Sequence, residues 1–212
     1  MSSDPNSRTP FDLCGGHAAL DFVNSLDRRF GGEPLELLGD YGDLLRFAEQ
    51  SQVLDSSRVR ALARSVTPGA AARALRAARE LREAMASVLY SHVDGHAPSA
   101  DAVRVLERRL HDADLHRELR WERGVARQNR PPALQWRWGR FERDAELPVW
   151  ILAQSASKLM LSKSMEHVRA CGAPTCRWLF LDTSKNHTRR WCNMKICGNR
   201  MKARRFQARR AQ

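Results

Sequence analysis

Four of the five cysteines fall within 27 residues, as Cys171-x4-Cys176 and, fifteen residues on, Cys192-x4-Cys197. Paired thiolates separated by a short excursion are the donor set of a tetrahedral Zn2+ site. Each x4 loop brings two sulfurs to one ion, and the spacer returns the second pair. Zinc suits sulfur and has no redox chemistry of its own, which fits a structural role. A segment this small cannot bury enough apolar surface to fold unaided; structural zinc supplies roughly 10–16 kcal/mol in isolated fingers at neutral pH. One structural Zn2+ on Cys171, Cys176, Cys192 and Cys197 is therefore expected, with no open position for water. Cys14 stands apart and reads as a small core residue. His167 and His187 lie near the pairs but read as non-ligands, because four thiols already complete the shell.

The same end of the chain is strongly basic. A net charge of +12 and a pI near 10.5 call for an anionic partner, nucleic acid before an acidic membrane surface. Base composition alone could favour arginine, which outnumbers lysine 31 to 5. It would not strip acids from one end, yet residues 166–212 set twelve Lys/Arg against only Glu166 and Asp182, a net of +10. The remaining 24 basic and 22 acidic residues leave +2 for residues 1–165. After Cys197, Gly198 permits a sharp entry and Asn199 is placed to cap a helix running to about Arg210. Met201, Ala208 and Phe206 are available to face the zinc core, and Arg200, Lys202, Arg204, Arg205, Arg209 and Arg210 cover the rest. On duplex DNA, Arg200 and Arg204, one turn apart, would reach base edges. The others, with Lys185, Arg189 and Arg190 of the spacer, would hold phosphates. DNA is the partner expected; an RNA or ribosome-associated role and a protein-docking role for the module stand as alternatives.

The fold class expected is mainly α with a β-hairpin: a larger helical domain, residues 11–165, and a small zinc-binding ββα-like module, residues 166–212. Residues 1–10 read as a disordered leader. Helical spacing runs through Ala19, Phe22, Val23 and Leu26. Asp40 is an N-cap for residues 41–50, and a short helix follows Asp55. After Pro68, Ala71, Leu75, Ala78, Leu81, Met85, Val88 and Leu89 keep one stripe until Asp94-Gly95. Ser99 or Asp101 caps the next helix. The period then changes: Leu115, Arg117, Leu119 and Trp121 alternate with polar residues, as do Leu134, Trp136 and Trp138, around a loop with Gly124 and Pro131-Pro132. A two-stranded hairpin needs a covered face, so its tryptophans are expected to pack on helices, in preference to forming a base-stacking platform. Residues 147–164 read as a buried helix. In the module, Trp178-Leu-Phe-Leu181 reads as a strand that the turn Asp182-Thr-Ser-Lys-Asn186 returns through Thr188-Arg-Arg-Trp191, with Trp178, Phe180 and Trp191 as a small core.

No Gly-rich phosphate loop, His-Glu-x-x-His helix or Ser–His–Asp arrangement is present, so the chain does not read as an enzyme. It carries no apolar targeting segment and no membrane span, so a cytoplasmic protein, nucleoid-associated if it binds DNA, is expected. Asp21, Asn24 and Arg28 share a helix face and could line a pocket for a small-molecule effector; capping, pairing or solvation is the simpler reading. A homodimer is a further expectation, because regulators often pair half-sites.

The residues Cys171…Cys176-Arg-Trp-Leu-Phe-Leu-Asp-Thr-Ser184, Arg189-Arg-Trp-Cys-Asn-Met194 and Cys197-Gly-Asn-Arg-Met-Lys-Ala-Arg204 closely resemble the CGNR zinc finger. In that family the finger follows a largely helical ABATE domain, in proteins described as stress-induced transcription regulators. Leu20-Asp-Phe-Val-Asn-Ser25 resembles the start of that domain. The resemblance implies zinc on the four cysteines and DNA binding. Met201 stands where the family usually has a small residue.

Overall fold

The structure, a computed structural model, describes residues 10–123 and 132–210; most of the expected leader and the loop from Gly124 to Pro131 lie outside the described residues. Seven α-helices and three two-stranded antiparallel sheets occur among the described residues. Four of the helices start where the sequence carries a capping side-chain oxygen. Asp40 and Asp43 form a reciprocal capping box at α2 (Tyr41–Gln50). Asp55 caps α3 (Ser56–Ser65), Thr67 caps α4 (Pro68–Asp94) and Ser99 caps α5 (Ala100–Leu115). The long α4 stops at Gly95, whose φ of 76° is left-handed backbone that an L side chain rarely adopts. α1 (Ala18–Asn24) begins at His17, whose ring nitrogen accepts from the Ala19 N–H.

α6 (Leu147–Met160) is the central helix and meets α1, α2, α4 and α5. Phe22, Phe47, Leu81, Met85, Leu89 and Leu152 are fully buried between them. A second cluster gathers Leu45, Leu62 and Trp150. The stripe on α4 carries one residue that apolar periodicity leaves out. Arg82 is 3% exposed and meets Glu36 through two bonds, Nη1–Oε1 and Nη2–Oε2, both 2.6 Å. Burial works against the Glu36 carboxylate, but the hydrogen bonds and charge of Arg82 outweigh it and hold its pKa below the usual range. The pair fastens the short hairpin β1 (Leu26–Asp27) and β2 (Leu35–Glu36) to α4.

The tryptophan hairpin forms in the register that alternation implies but not against helices. β3 (Glu118–Glu122) pairs with β4 (Ala133–Arg137), setting Leu119 opposite Trp136 and Trp121 opposite Leu134. That apolar face is open: Trp121 is 65% and Trp136 55% exposed. The helical core is already closed by α5 on α4 and α6. Trp138, which lies beyond β4, is the tryptophan that packs inward, stacking on Trp150 at 5.8 Å.

After a short turn, β5 (Val168–Ala170) pairs with β6 (Leu179–Leu181), and α7 (Asn199–Arg210) ends the described chain. The partner of β6 thus precedes it and is not the returning segment 188–191. Val168 and Leu179 bury apolar side chains in the main helical core, whereas the returning segment offers Thr188, Arg189 and Arg190 and has no apolar alternation.

Candidate metal centre

The β5–β6 hairpin and the turn before α7 bring two sulfur pairs together. In the first loop the N–H of Cys171 donates to Trp178 O, closing the hairpin. The N–H groups of Cys176 and Arg177 both donate to Ala173 O, and Arg177 turns the chain with a φ of 52°. In the second, Asn193 accepts from Lys195 N–H through its side chain, and its carbonyl accepts from Cys197 and Gly198 N–H. This wide turn, Met194–Gly198, runs directly into α7. Asn193 is therefore the cap, and Asn199, already helical, donates its side-chain amide back to Lys195 O.

The four sulfurs of Cys171, Cys176, Cys192 and Cys197 lie within 4.8 Å of one another. Cys176 Sγ is 3.6 Å from Cys192 Sγ, which is 3.8 Å from Cys197 Sγ. Four sulfurs at about 2.3 Å from a tetrahedral zinc stand about 3.8 Å apart, so the donor set fits one Zn2+. Three of the cysteines are buried and Cys176 is the least covered. Four sulfurs this close carry negative charge together only around a cation. Contact with Cys171 pushes the Cys176 thiol up, and Cys14 followed by Cys171 pushes Cys192 up. Cys171, accepting from Cys176 and Cys192, is pushed down. His167 and His187 stack on each other 3.8 Å apart, outside the sulfur group.

Cys14 is not part of the helical core but packs against this cluster, beside Cys192. Arg189 explains how. Its guanidinium, stacked 4.4 Å over Phe180, donates to the carbonyls of Cys14, Leu181, Trp191 and Cys192. The side chain expected to hold phosphate is thus a clamp joining the start of the described chain to the finger. Lys185 and Arg190 remain exposed, the latter over Trp191 at 5.5 Å.

Further ties fasten the finger to the helices. The Leu181 N–H donates to Gly15 O at 2.8 Å, and the Tyr90 hydroxyl donates to Arg177 O at 3.0 Å. Trp178 Nε1 donates to Asp27 at 2.8 Å. Asn24, 3% exposed, both donates to Leu179 O and accepts from Leu179 N–H, each at 2.9 Å. Asn24 is therefore a joint to the finger and not a pocket residue. Asp21 is also structural: it accepts from Gly15 N–H at 2.7 Å, and burial pushes its carboxyl up to about 6. Arg28 lies beyond α1 with a φ of 54°, so the three do not share one helix face. Arg28 instead lines a cavity of about 280 Å³ with Asp27, Trp178 and Arg200, against the outer side of the sulfur group.

The closest backbone approach is at Gly31, where an added Cβ would stand 2.6 Å from Thr175 Cα and O. Gly31→Ala is expected to push the first zinc loop off the helical body. The cost should be about 1–3 kcal/mol, as for other overpacked contacts. Melting temperature and the rate of zinc loss to a chelator measure it; unchanged values for both would show that the loop yields freely.

α7 has no buried residue and only Met201 is partly covered, against the zinc cluster. Phe206, 61% exposed, and Ala208 do not reach the zinc core. At 1.5 Å per residue its twelve residues project about 18 Å. Arg200, Lys202, Arg204, Arg205, Arg209 and Arg210 are all exposed, and among the described residues no acid pairs with them. Sequence reasoning missed Lys195, exposed on the turn at the same end, although the x4 spacing itself placed it beside the second sulfur pair.

No helix among the described residues is long and apolar enough to cross a membrane. A search of curated proteins found no match. Two family models match the chain. One, described as "CGNR zinc finger", covers residues 167–210, the segment holding all four sulfurs and α7. The other, "ABATE: Putative stress-induced transcription regulator", covers residues 16–162, well over half of the chain. The chain therefore belongs to the ABATE family and carries a CGNR zinc finger after its helical part.

Proposed function

We propose that the protein is a DNA-binding transcription regulator that lays α7 along a groove of duplex DNA. One observation carries the reading: an acid-free helix, exposed throughout except for Met201, is rooted, within one turn, in a four-sulfur zinc site. A zinc site at its base holds the helix in one direction, and a helix fits the major groove. Arg200 and Arg204 share one side of α7 and are the candidates for base edges. Lys185, Arg190, Lys195, Lys202, Arg205, Arg209 and Arg210 supply phosphate contacts. Arg189, held by four carbonyls, acts by shaping the finger. The reading is of a binding protein acting in the cytoplasm and not of a catalyst, since its four clustered thiols are committed to metal.

Each phosphate neutralised contributes about −0.9 to the slope of log affinity against log salt. The zinc-loaded protein is expected to bind genomic duplex fragments with a slope of several units. Arg200→Ala with Arg204→Ala should flatten the preference among sequences, while Arg209→Ala with Arg210→Ala should weaken all sequences alike. Competition with structured RNA belongs in the same titration: tighter RNA binding transfers the role to RNA, and salt-insensitive binding removes nucleic acid from the reading.

A further inference from the structure

Cys14 is the one cysteine that the four-sulfur site does not use, yet its side chain packs against that site. It joins the cluster of Cys171, Phe180, Cys192 and Cys197, and its thiol interacts directly with Cys192. The backbone holds this contact in place. A single guanidinium nitrogen, Nη2 of Arg189, donates to the carbonyls of both Cys14 and Cys192 and ties the two segments together. The next residue, Gly15, is fixed at both ends: its N–H donates to Asp21 Oδ1, and its carbonyl accepts from the Leu181 N–H. Cys192 is only 3% exposed, but with Cys176 and Cys197 it lines the cavity of about 280 Å³ described above. Arg28 and Arg200 bring donors to that cavity and Asp12 and Asp27 bring acceptors, so it suits a small polar molecule without net charge. Cys192 therefore meets both a thiol that the metal leaves free and a route by which a small reagent can arrive.

We propose that Cys14 and Cys192 form a reversible disulfide in response to hydrogen peroxide, and that closing it dismantles the zinc site. The thiolate, not the thiol, is the nucleophile toward peroxide. The Cys192 thiolate attacks one peroxide oxygen, the O–O bond breaks, and the released hydroxide takes up a proton to become water. Cys14 then attacks the resulting Cys192 sulfenic acid. The S–S bond forms, the S–O bond breaks, and the Cys14 proton leaves with the hydroxyl as a second water. In sum, one thiolate, one thiol, one peroxide and one proton give one disulfide and two waters; the two sulfurs are oxidised and the peroxide is reduced. Cys176 Sγ is also near, at 3.6 Å, but it is committed to the metal, whereas Cys14 is not. Three thiolates then remain, too few to complete a structural shell. The turn Met194–Gly198, which carries Cys197 at the root of α7, loses its sulfur neighbour 3.8 Å away, and the basic helix loses its fixed direction. A thiol reductant reopens the disulfide and restores the donor set. The inference rests on the zinc site and not on DNA binding.

The test treats the zinc-loaded full chain with a small molar excess of hydrogen peroxide, alkylates the remaining thiols and maps the peptides by mass. A Cys14–Cys192 linkage is expected, with one zinc released to a chromogenic chelator for each linkage formed. Zinc binding should return in full after reduction and addition of metal. Cys14→Ala should hold one zinc and melt like the wild type before treatment. After peroxide its Cys192 has no free thiol to close upon and proceeds to sulfinic acid, so reduction should not restore zinc binding. A wild type that keeps its zinc and its thiols under peroxide overturns the proposal. So does a linkage confined to the zinc ligands, such as Cys176 to Cys192, or a Cys14→Ala chain that recovers zinc as fully as the wild type. The peptide map is read on the wild type alone and decides the matter even if the variant folds poorly.

Discussion

Cys192→Ser is expected to release the zinc and, with it, the footing of α7. Cys192 Sγ stands between Cys176 Sγ at 3.6 Å and Cys197 Sγ at 3.8 Å, the spacing that one tetrahedral ion imposes. A serine hydroxyl is a poorer donor for zinc than a thiolate, so the remaining three sulfurs keep only part of the ~10–16 kcal/mol that a structural zinc contributes. The turn Met194–Gly198 and α7 bury almost nothing of their own and have no other anchor of comparable strength. Zinc content after dialysis against a chelator should fall from one per chain toward none. The helical signal should drop by about one helix, and nucleic-acid affinity should fall to the level of a disordered basic segment. Cys14→Ser, which alters a neighbour and not a ligand, should retain the metal. A Cys192→Ser protein with full zinc would show that Cys192 is not a ligand.

Asn24→Ala is expected to lower stability by about 4 kcal/mol without touching a ligand or a basic residue. The side chain satisfies both peptide groups of Leu179, and truncation would strand a buried N–H and a buried C=O at ~1–3 kcal/mol each. For a chain of this size the melting temperature should drop by roughly 8–16 °C, taking ~2–4 °C per kcal/mol. Zinc should leave faster as well, because β6 carries the first sulfur pair's hairpin. A variant that melts like the wild type would mean that water replaces the amide. A variant that melts lower but keeps its zinc kinetics would mean that the joint serves only the helices.

What could be read in the sequence was local. Asp40, Asp55, Ser99 and Gly95 act on backbone groups a few residues away, so their roles follow from position. The four zinc sulfurs follow from spacing, because each pair spans one short loop. What could not be read depends on partners distant in the chain. β6 pairs backwards with β5 because the helical core beneath offers burial, which the turn residues Asp182–Asn186 do not reveal. Arg189 looks like any surface arginine until four carbonyls converge on it. Arg82 interrupts an apolar stripe and is tolerated because Glu36 arrives from a hairpin 46 residues away. Alternation gave the tryptophan face its register, but it says nothing about whether that face meets another element.

The joint between Asn24 and Leu179 spans 155 residues, and Arg189 reaches Cys14 across 175. During synthesis at ~5–20 residues per second, α1 therefore leaves the ribosome on the order of ten seconds before its partner strand exists. Until then Asn24 has no peptide to pair with, and the early helices must wait in a partly closed state with apolar surface open to chaperones and proteases. A nonsense codon before Leu179 would thus forfeit more than the metal-binding end: it would leave the helical portion without the strand that completes it. Messages cut short late in the reading frame should yield little surviving product.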